Sequence, residues 1–458
     1  MPPAMSYTPN DKDLRDDALS ERNTRMMAHA KAQDYYDGNH KRPLRFGGNM
    51  PDLNVIVNLF GMRVDRRRDF LFPDFPIIEL DSDDDSDNAD EQWLRLAWDA
   101  NNGAVLAGEM AMAGALDGHV YVRIMPPDRS EFPRLKLVGN AITFWQADDV
   151  DIALWHELSW QVGKTYYRQD MLDLDALGMG AGWQIIQYRS DNGLQWSLQS
   201  IIDWRYDVPP IINWQHWPRS DKYYGKSEAS DLPLNDSLNR VLSQANAILR
   251  NHAYPKTVAT GVTAAKVQPT AVDSFWAIEN DNAKVFNLEM HSDLSAILNM
   301  ADRLTDHYHA QGRTVVLKGN PADFARLTNL AIGAVFMDAS TANETLRRQY
   351  GKALSQLTCA MLAMDGRKSD YKPILKWTDA LPNNELEQAQ IVQVQRNLGL
   401  ISQESAAAEM GLDWATEQQR MADEDDGRSA MMDKLISTGG SAPLSLNTNP
   451  TGNPNDQQ

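Results

Sequence analysis

The triplet Gly225-Lys226-Ser227 is the part of this sequence closest in type to a phosphate-binding loop. Such a loop cradles phosphates with backbone N–H groups and opens with a glycine five residues before the Gly-Lys-Ser. Residue 220 is a serine, and the segment follows the aromatic stretch Trp214, His216, Trp217 rather than a clear buried strand. Nucleotide binding is therefore not expected. The run Asp81-Ser82-Asp83-Asp84-Asp85-Ser86-Asp87 has the carboxylate density of a calcium loop. That loop needs glycine at its sixth position for a sharp turn and a bidentate glutamate at its twelfth. Counted from Asp81 these are Ser86 and Gln92, so a solvated acidic loop is expected. His307 and His309 stand two apart on an expected helix and point to different sides, with His291 too far along to join them. Neither His-Glu-x-x-His nor Gly-x-Ser-x-Gly occurs. The lone Cys359 excludes an intramolecular disulfide and a cysteine-based zinc site. It falls in the apolar run Leu354–Met364 and is expected as a buried thiol. No cofactor, no metal and no enzymatic activity are expected.

The elements that position these residues belong to a chain of 458 residues, long enough for two or three domains. Acidic residues outnumber basic ones 63 to 44, a net charge of −19. A broad grip on phosphates needs a basic surface, so that class is excluded; any contact with nucleic acid has to be local. The first residues lack the basic start and apolar core of a secretory signal. No stretch of about 18 apolar residues occurs, so a cytosolic chain with no membrane partner is expected.

Residues 1–10 are expected to fray, and Asp11–Tyr36 to form a charged helix. Apolar spacing through Val55, Leu59, Met62 and Phe70 predicts a helix over Asn49–Phe72, its charged face carrying Arg63, Arg66, Arg67 and Arg68. Pro73 and Pro76 end it. Ile77–Leu80 reads as a short strand and Glu91–Asp117 as one helix. Val120–Met125 and alternating segments between Leu135 and Trp204 read as strands, with a hairpin at Asp191-Asn192-Gly193. The first 210 residues are thus an α+β domain. The aromatic stretch Trp204–Trp217 reads as core or subunit contact. A long helix follows from Leu232 to Ala253, then short β-like pieces at Thr257–Thr260, Phe275–Ile278 and Ala283–Leu288. A second long helix spans Ser292–Gln311. Thr314–Leu317 is strand-like. Helix resumes from Ala325 or Ser340 to Met364, and Pro373–Trp377 is strand-like. Glu385–Leu398 and Gln403–Met410 are helical, and the polar tail is expected to be disordered.

Four local patterns resemble one family. Asp34-Tyr35-Tyr36-Asp37-Gly38-Asn39-His40 is an aromatic pair followed by glycine and histidine. Asn54-Val55-Ile56-Val57-Asn58-Leu59 precedes Val64-Asp65. Tyr224-Gly225-Lys226-Ser227-Glu228-Ala229-Ser230-Asp231-Leu232 leads into a helix containing Leu238-Asn239-Arg240 and stopped at Tyr254-Pro255. Leu381-Pro382-Asn383-Asn384-Glu385 leads to Gly399-Leu400-Ile401-Ser402-Gln403-Glu404 and Gly411-Leu412. In this order and spacing, over about residues 30–425, they resemble the portal proteins of tailed bacteriophages.

The resemblance implies an α+β, mainly helical subunit of a homo-oligomeric ring, usually of twelve chains, at one capsid vertex of the virion. Double-stranded DNA would pass through it; terminase, a head–tail adaptor, and the major capsid and scaffolding proteins would be its partners. It would sit in the host cytoplasm before assembly. On this map residues 1–231 form the wing, 232–253 the first stem helix, 254–291 a small β-containing clip and 292–312 the second stem helix. Residues 313–331 hold the tunnel loop, 332–382 return through the wing, 383–425 form a helical crown and 426–458 a disordered tail. The tunnel-loop region carries Arg313, Lys318 and Arg326 against Asp323, a local basic excess that a ring multiplies at its narrowest point. Stem-lining candidates are Arg240, Arg250, Asp302, Arg303 and Asp306. Clip candidates for partner docking are Lys256, Lys266 and Lys284. Two other readings compete. A capsid or adaptor protein without a conduit would need no helical pair around a β insert. A metal-dependent nuclease would need its carboxylates to converge.

Overall fold

The structure, a computed structural model, describes residues 12–45, 52–81, 87–139, 141–146, 149–253, 257–260, 284–287, 294–316, 329–381, 385–412, 414 and 417–422. Residues 1–10, expected to fray, residues 82–86 of the acidic run, the strand expected at Phe275–Ile278 and the expected tail lie outside them. Among the described residues 49% helix against 22% strand makes the chain α+β. It divides into two compact units, Met1–Asn320 with Gly333–Leu381, and Pro321–Ile332 with Pro382–Gln458.

The first unit opens with α1 (Lys12–Tyr36) and α2 (Leu59–Leu71). The expected helix over Asn49–Phe72 is thus corrected: residues 52–58 are extended and helix begins only at Leu59. The reason lies in a later helix, α5 (Leu232–Ala253), one stripe of which carries Asn235, Asn239, Ser243 and Asn246. Those side chains bond the backbone of the extended segment as a neighbouring strand would. Asn239 Oδ1 accepts from Val57 N at 2.9 Å, Ser243 Oγ from Val55 N at 3.0 Å, and Asn246 Nδ2 donates to Leu53 O at 2.8 Å. Asn58 then caps α2 by accepting from Gly61 N at 2.8 Å.

After β1 (Ile77–Leu80) the expected single helix proves to be two, α3 (Asp87–Ala100) and α4 (Gly103–Asp117). The break is Asn102, left-handed at φ +50°, a conformation asparagine tolerates better than most residues. Asn101 is also drawn out, since it accepts from Leu135 N at 2.8 Å and donates to Pro133 O at 2.9 Å.

The strands are β2 (His119–Met125), β3 (Arg134–Leu137), β4 (Ile142–Gln146), β5 (Asp149–Val162), β6 (Thr165–Asp173), β7 (Trp183–Ser190), β8 (Ser197–Trp204) and β9 (Ile211–Gln215). β4 to β8 form a five-stranded antiparallel meander, and β3-β2-β9 a three-stranded sheet. The hairpin expected at Asp191-Asn192-Gly193 joins β7 to β8, with Gly193 at φ +75°. The helix α7 (Asn329–Met364) packs Leu346, Tyr350, Leu354, Leu357 and Met361 against α3, α4, β2 and β9 in the main core. Beyond it β12 (Pro373–Lys376) pairs with β1 across the chain. Of the aromatic stretch, Trp214 is buried against Tyr350 in this core. Cys359 is half-buried, its thiol toward Tyr371 O.

Helices α5 and α6 (Leu294–Gln311) pack through Leu238, Ala301 and Tyr308. Between them the described pieces are β10 (Thr257–Thr260) and β11 (Lys284–Asn287), an antiparallel pair. Thr314–Val316, expected in a strand, has no regular structure; Thr314 N bonds back to His309 O at 3.0 Å and closes the end of α6 instead. In the second unit, α8 (Glu385–Asn397) and α9 (Gln403–Glu409) pack on each other.

Candidate functional site

The start of α5 and the end of α6 meet at a buried ionic cluster. Arg63 and Arg67 reach it from α2, one turn apart on the same side as Leu59 and Leu71. Glu228 and Asp231 reach it from a 3-10 turn, Glu228–Asp231, that leads into α5. Arg63 Nη1 lies 2.7 Å from Asp231 Oδ2 and its Nε 3.4 Å from Glu228 Oε2. Arg67 Nε lies 3.2 Å from Glu228 Oε1, and its Nη2 donates to Gly312 O at 2.6 Å. Trp217 Nε1 donates to Glu228 Oε1 at 2.9 Å, and Gln311 Nε2 to Asp231 Oδ1 at 2.9 Å. The Arg63 guanidinium also stacks 4.6 Å over the Tyr308 ring of α6. So α2, the lead-in to α5 and the last turn of α6 are tied at one point, and α5 and α6 run antiparallel from it.

All four ionic side chains are buried, Arg63 at 1% exposure and Glu228 at 6%. Two guanidiniums and two carboxylates sum to zero, the condition for keeping such groups out of water. Burial pushes the Glu228 carboxyl up, but His216, Arg67 and Arg63 outweigh it and hold the carboxyl well below the usual carboxylate range. His216, fully buried, is pushed down by burial against the pull of Glu228. Its Nδ1 meets the Tyr350 hydroxyl at 2.8 Å, which links the cluster to α7. Glycines make the approach possible. A Cβ on Gly312 would stand 2.7 Å from Arg63 Cδ, and one on Gly225 would stand 2.5 Å from Gly118 O.

This overturns the placement of Arg63 and Arg67 on the charged face of that helix. The expectation counted charge and ignored phase: Leu59, Arg63, Arg67 and Leu71 fall on one stripe, and Met62, taken as apolar lining, is 44% exposed. Arginines at core positions of an amphipathic helix are a signal for buried carboxylates elsewhere in the chain.

The expected site residues are placed as follows. Arg240 and Arg250 on α5, and Asp302, Arg303 and Asp306 on α6, are all exposed. Arg313 follows α6, is exposed and holds a left-handed φ of +49°. Lys284 is exposed on β11. Lys256, Lys266, Lys318 and Arg326 lie outside the described residues. Among the described residues no three His, Cys, Asp or Glu side chains gather where they could hold a metal ion, and no helix is long and apolar enough to cross a membrane.

None of the curated proteins compared matches the chain. Among solved structures, a chain of "Virion of native gene transfer agent (GTA) particle" is 14% identical, with a TM-score of 0.46 over 84% of this chain and 93% of that one. A chain of "Neck of native GTA particle computed with C12 symmetry" is 16% identical, with a TM-score of 0.44 over 77% and 89%. The profile of the family "Phage portal protein, SPP1 Gp6-like" matches residues 18–430. With nearly the whole chain so covered, from within α1 through α9, the protein belongs to the phage portal protein family.

Proposed function

We propose that this portal protein closes with identical copies into a ring whose channel passes double-stranded DNA during packaging and ejection. The observation that carries the reading is the antiparallel pair α5 and α6, held at one end by the buried ionic cluster. At about 1.5 Å per residue, the 22 residues of α5 span about 33 Å, enough for a wall. Its charges are of both signs, Arg240, Arg250 and Arg303 beside Asp302 and Asp306. A wall of mixed sign neutralises few phosphates and so releases few of the counterions condensed on DNA, which would slide along it rather than stick.

On this reading residues 1–231 and 332–382 are the wing, 232–253 and 292–312 the stem, and 254–291 the clip. Residues 313–331 are the tunnel loop and 383–425 the crown. Lys318 and Arg326 are the tunnel-loop contacts to DNA phosphates. Lys284, with Lys256 and Lys266, faces terminase and then the adaptor. The protein supplies geometry rather than chemistry, and the motor is a separate chain. In a host that produces the particles, deleting this chain should leave capsids without DNA. DNA-filled capsids at the normal yield would sink the proposal.

A further inference from the structure

A groove of about 330 Å³ lies beside the ionic cluster, walled by Arg66, Arg67 and Arg313 and floored by Phe70, Val315 and Phe336. Three guanidiniums around an apolar floor are unusual in a chain of net charge −19. Arg67 is committed to Glu228 and Gly312. Arg66 is not committed, and its Nη1 is buried with no hydrogen-bond partner. Such a donor costs about 1–3 kcal/mol if nothing accepts from it. Asp69 at the rim is engaged by Arg68 at 2.9 Å. Arg313 adds its charge next to Arg67, which it depresses further. It does so from a left-handed backbone, φ +49°, that a glycine would hold without strain. Beside the groove, α7 presents Val335 at 46% and Met337 at 63% exposure.

From these features we infer that the groove receives a carboxylate side chain and its apolar neighbour from a second copy of this chain. Charge picks the occupant: the ligand has to be anionic, and the chain itself carries 63 acidic residues against 44 basic ones. The apolar floor picks protein over DNA, because a hydrated phosphodiester gains nothing from Phe70, Val315 and Phe336. The continuation onto Val335 and Met337 gives the contact the apolar centre that lasting interfaces have. The inference rests on the ring proposed above and adds where one seam of it lies. It also assigns Arg313 to subunit contact rather than to the channel.

The test has two arms on the full-length chain. Arg66→Glu with Arg313→Glu should raise the concentration needed for assembly about tenfold or more, whereas Arg189→Glu with Arg205→Glu, the same charge change on β7 and just after β8, should not. Circular dichroism and thermal melting check that both variants fold. In the second arm a photo-crosslinking residue replaces Val315 in a mixture of light and heavy isotope-labelled chains. Light-to-heavy cross-links to acidic peptides are expected. Cross-links within one chain only, cross-links to DNA, or rings with none would each overturn the inference. A wild-type chain that forms no ring at all would instead overturn the ring itself, and the groove assignment with it.

Discussion

Replacing Glu228 by glutamine tests whether the ionic cluster anchors α5 and α6. The change keeps the shape and removes one charge, so two guanidiniums face a single carboxylate and a net +1 stays buried. The desolvated excess charge should cost about 3–5 kcal/mol. Because Glu228 touches α2, Trp217 and His216, the loss should appear where those elements open locally rather than across the whole chain. Hydrogen exchange of peptides covering Leu59–Leu71 and Tyr308–Arg313 should speed up by about a hundredfold or more, the smaller figure converted at about 1.4 kcal/mol per decade. Arg67→Met together with Glu228→Gln removes one charge of each sign, leaves the pair of Arg63 and Asp231, and should recover most of the protection. The pH dependence has a fixed sign. The carboxyl of Glu228 is depressed in the folded chain, so its contribution is complete above the ordinary carboxylate value and disappears as pH falls through its lowered one. Exchange in Glu228→Gln within threefold of wild type, or a double variant no better protected than the single, would refute this account of the anchor.

Burial pushes His119 down to about 3 and His156 down to about 4. Their unfolded forms bind protons first, so stability is complete above about pH 6.5 and falls as pH drops toward those values. Each should cost about 2 kcal/mol between pH 7 and pH 5, read as a lower unfolding midpoint that His119→Asn makes shallower. Gly225→Ala drives a Cβ to 2.5 Å from Gly118 O and should destabilise the lead-in to α5 by about 1–3 kcal/mol, measured by thermal unfolding. Asn239→Ala leaves Val57 N without its 2.9 Å acceptor. The cost should be about 1–3 kcal/mol, seen as faster amide exchange over residues 53–58.

Helix and strand positions were largely legible, because they follow periodicity. Leu232–Ala253, Val120–Met125 and the hairpin at Gly193 lie where spacing and turn residues put them. The elements missed were those set by partners far along the chain. Residues 52–58 look helical in isolation and are extended because the asparagine stripe of α5, about 180 residues later, supplies their hydrogen bonds. Thr314–Val316 has β-branched residues, but none of the described strands pairs with it. The break at Asn102 is legible in the Asn101-Asn102-Gly103 triplet, which outweighs the continuous apolar pattern on either side of it. At the site, Glu228 and Asp231 stood inside a motif that carried the family resemblance, yet their role needed Arg63 and Arg67 read by phase instead of by charge.

An electron cryo-microscopy reconstruction of the purified chain would show directly whether copies close into a ring and which helices line it. Closed rings are expected in which α5 and α6 line a central channel wide enough for double-stranded DNA, with the ionic cluster at one end of that wall. Monomers alone, or rings that turn α5 and α6 to the outer surface, would contradict it.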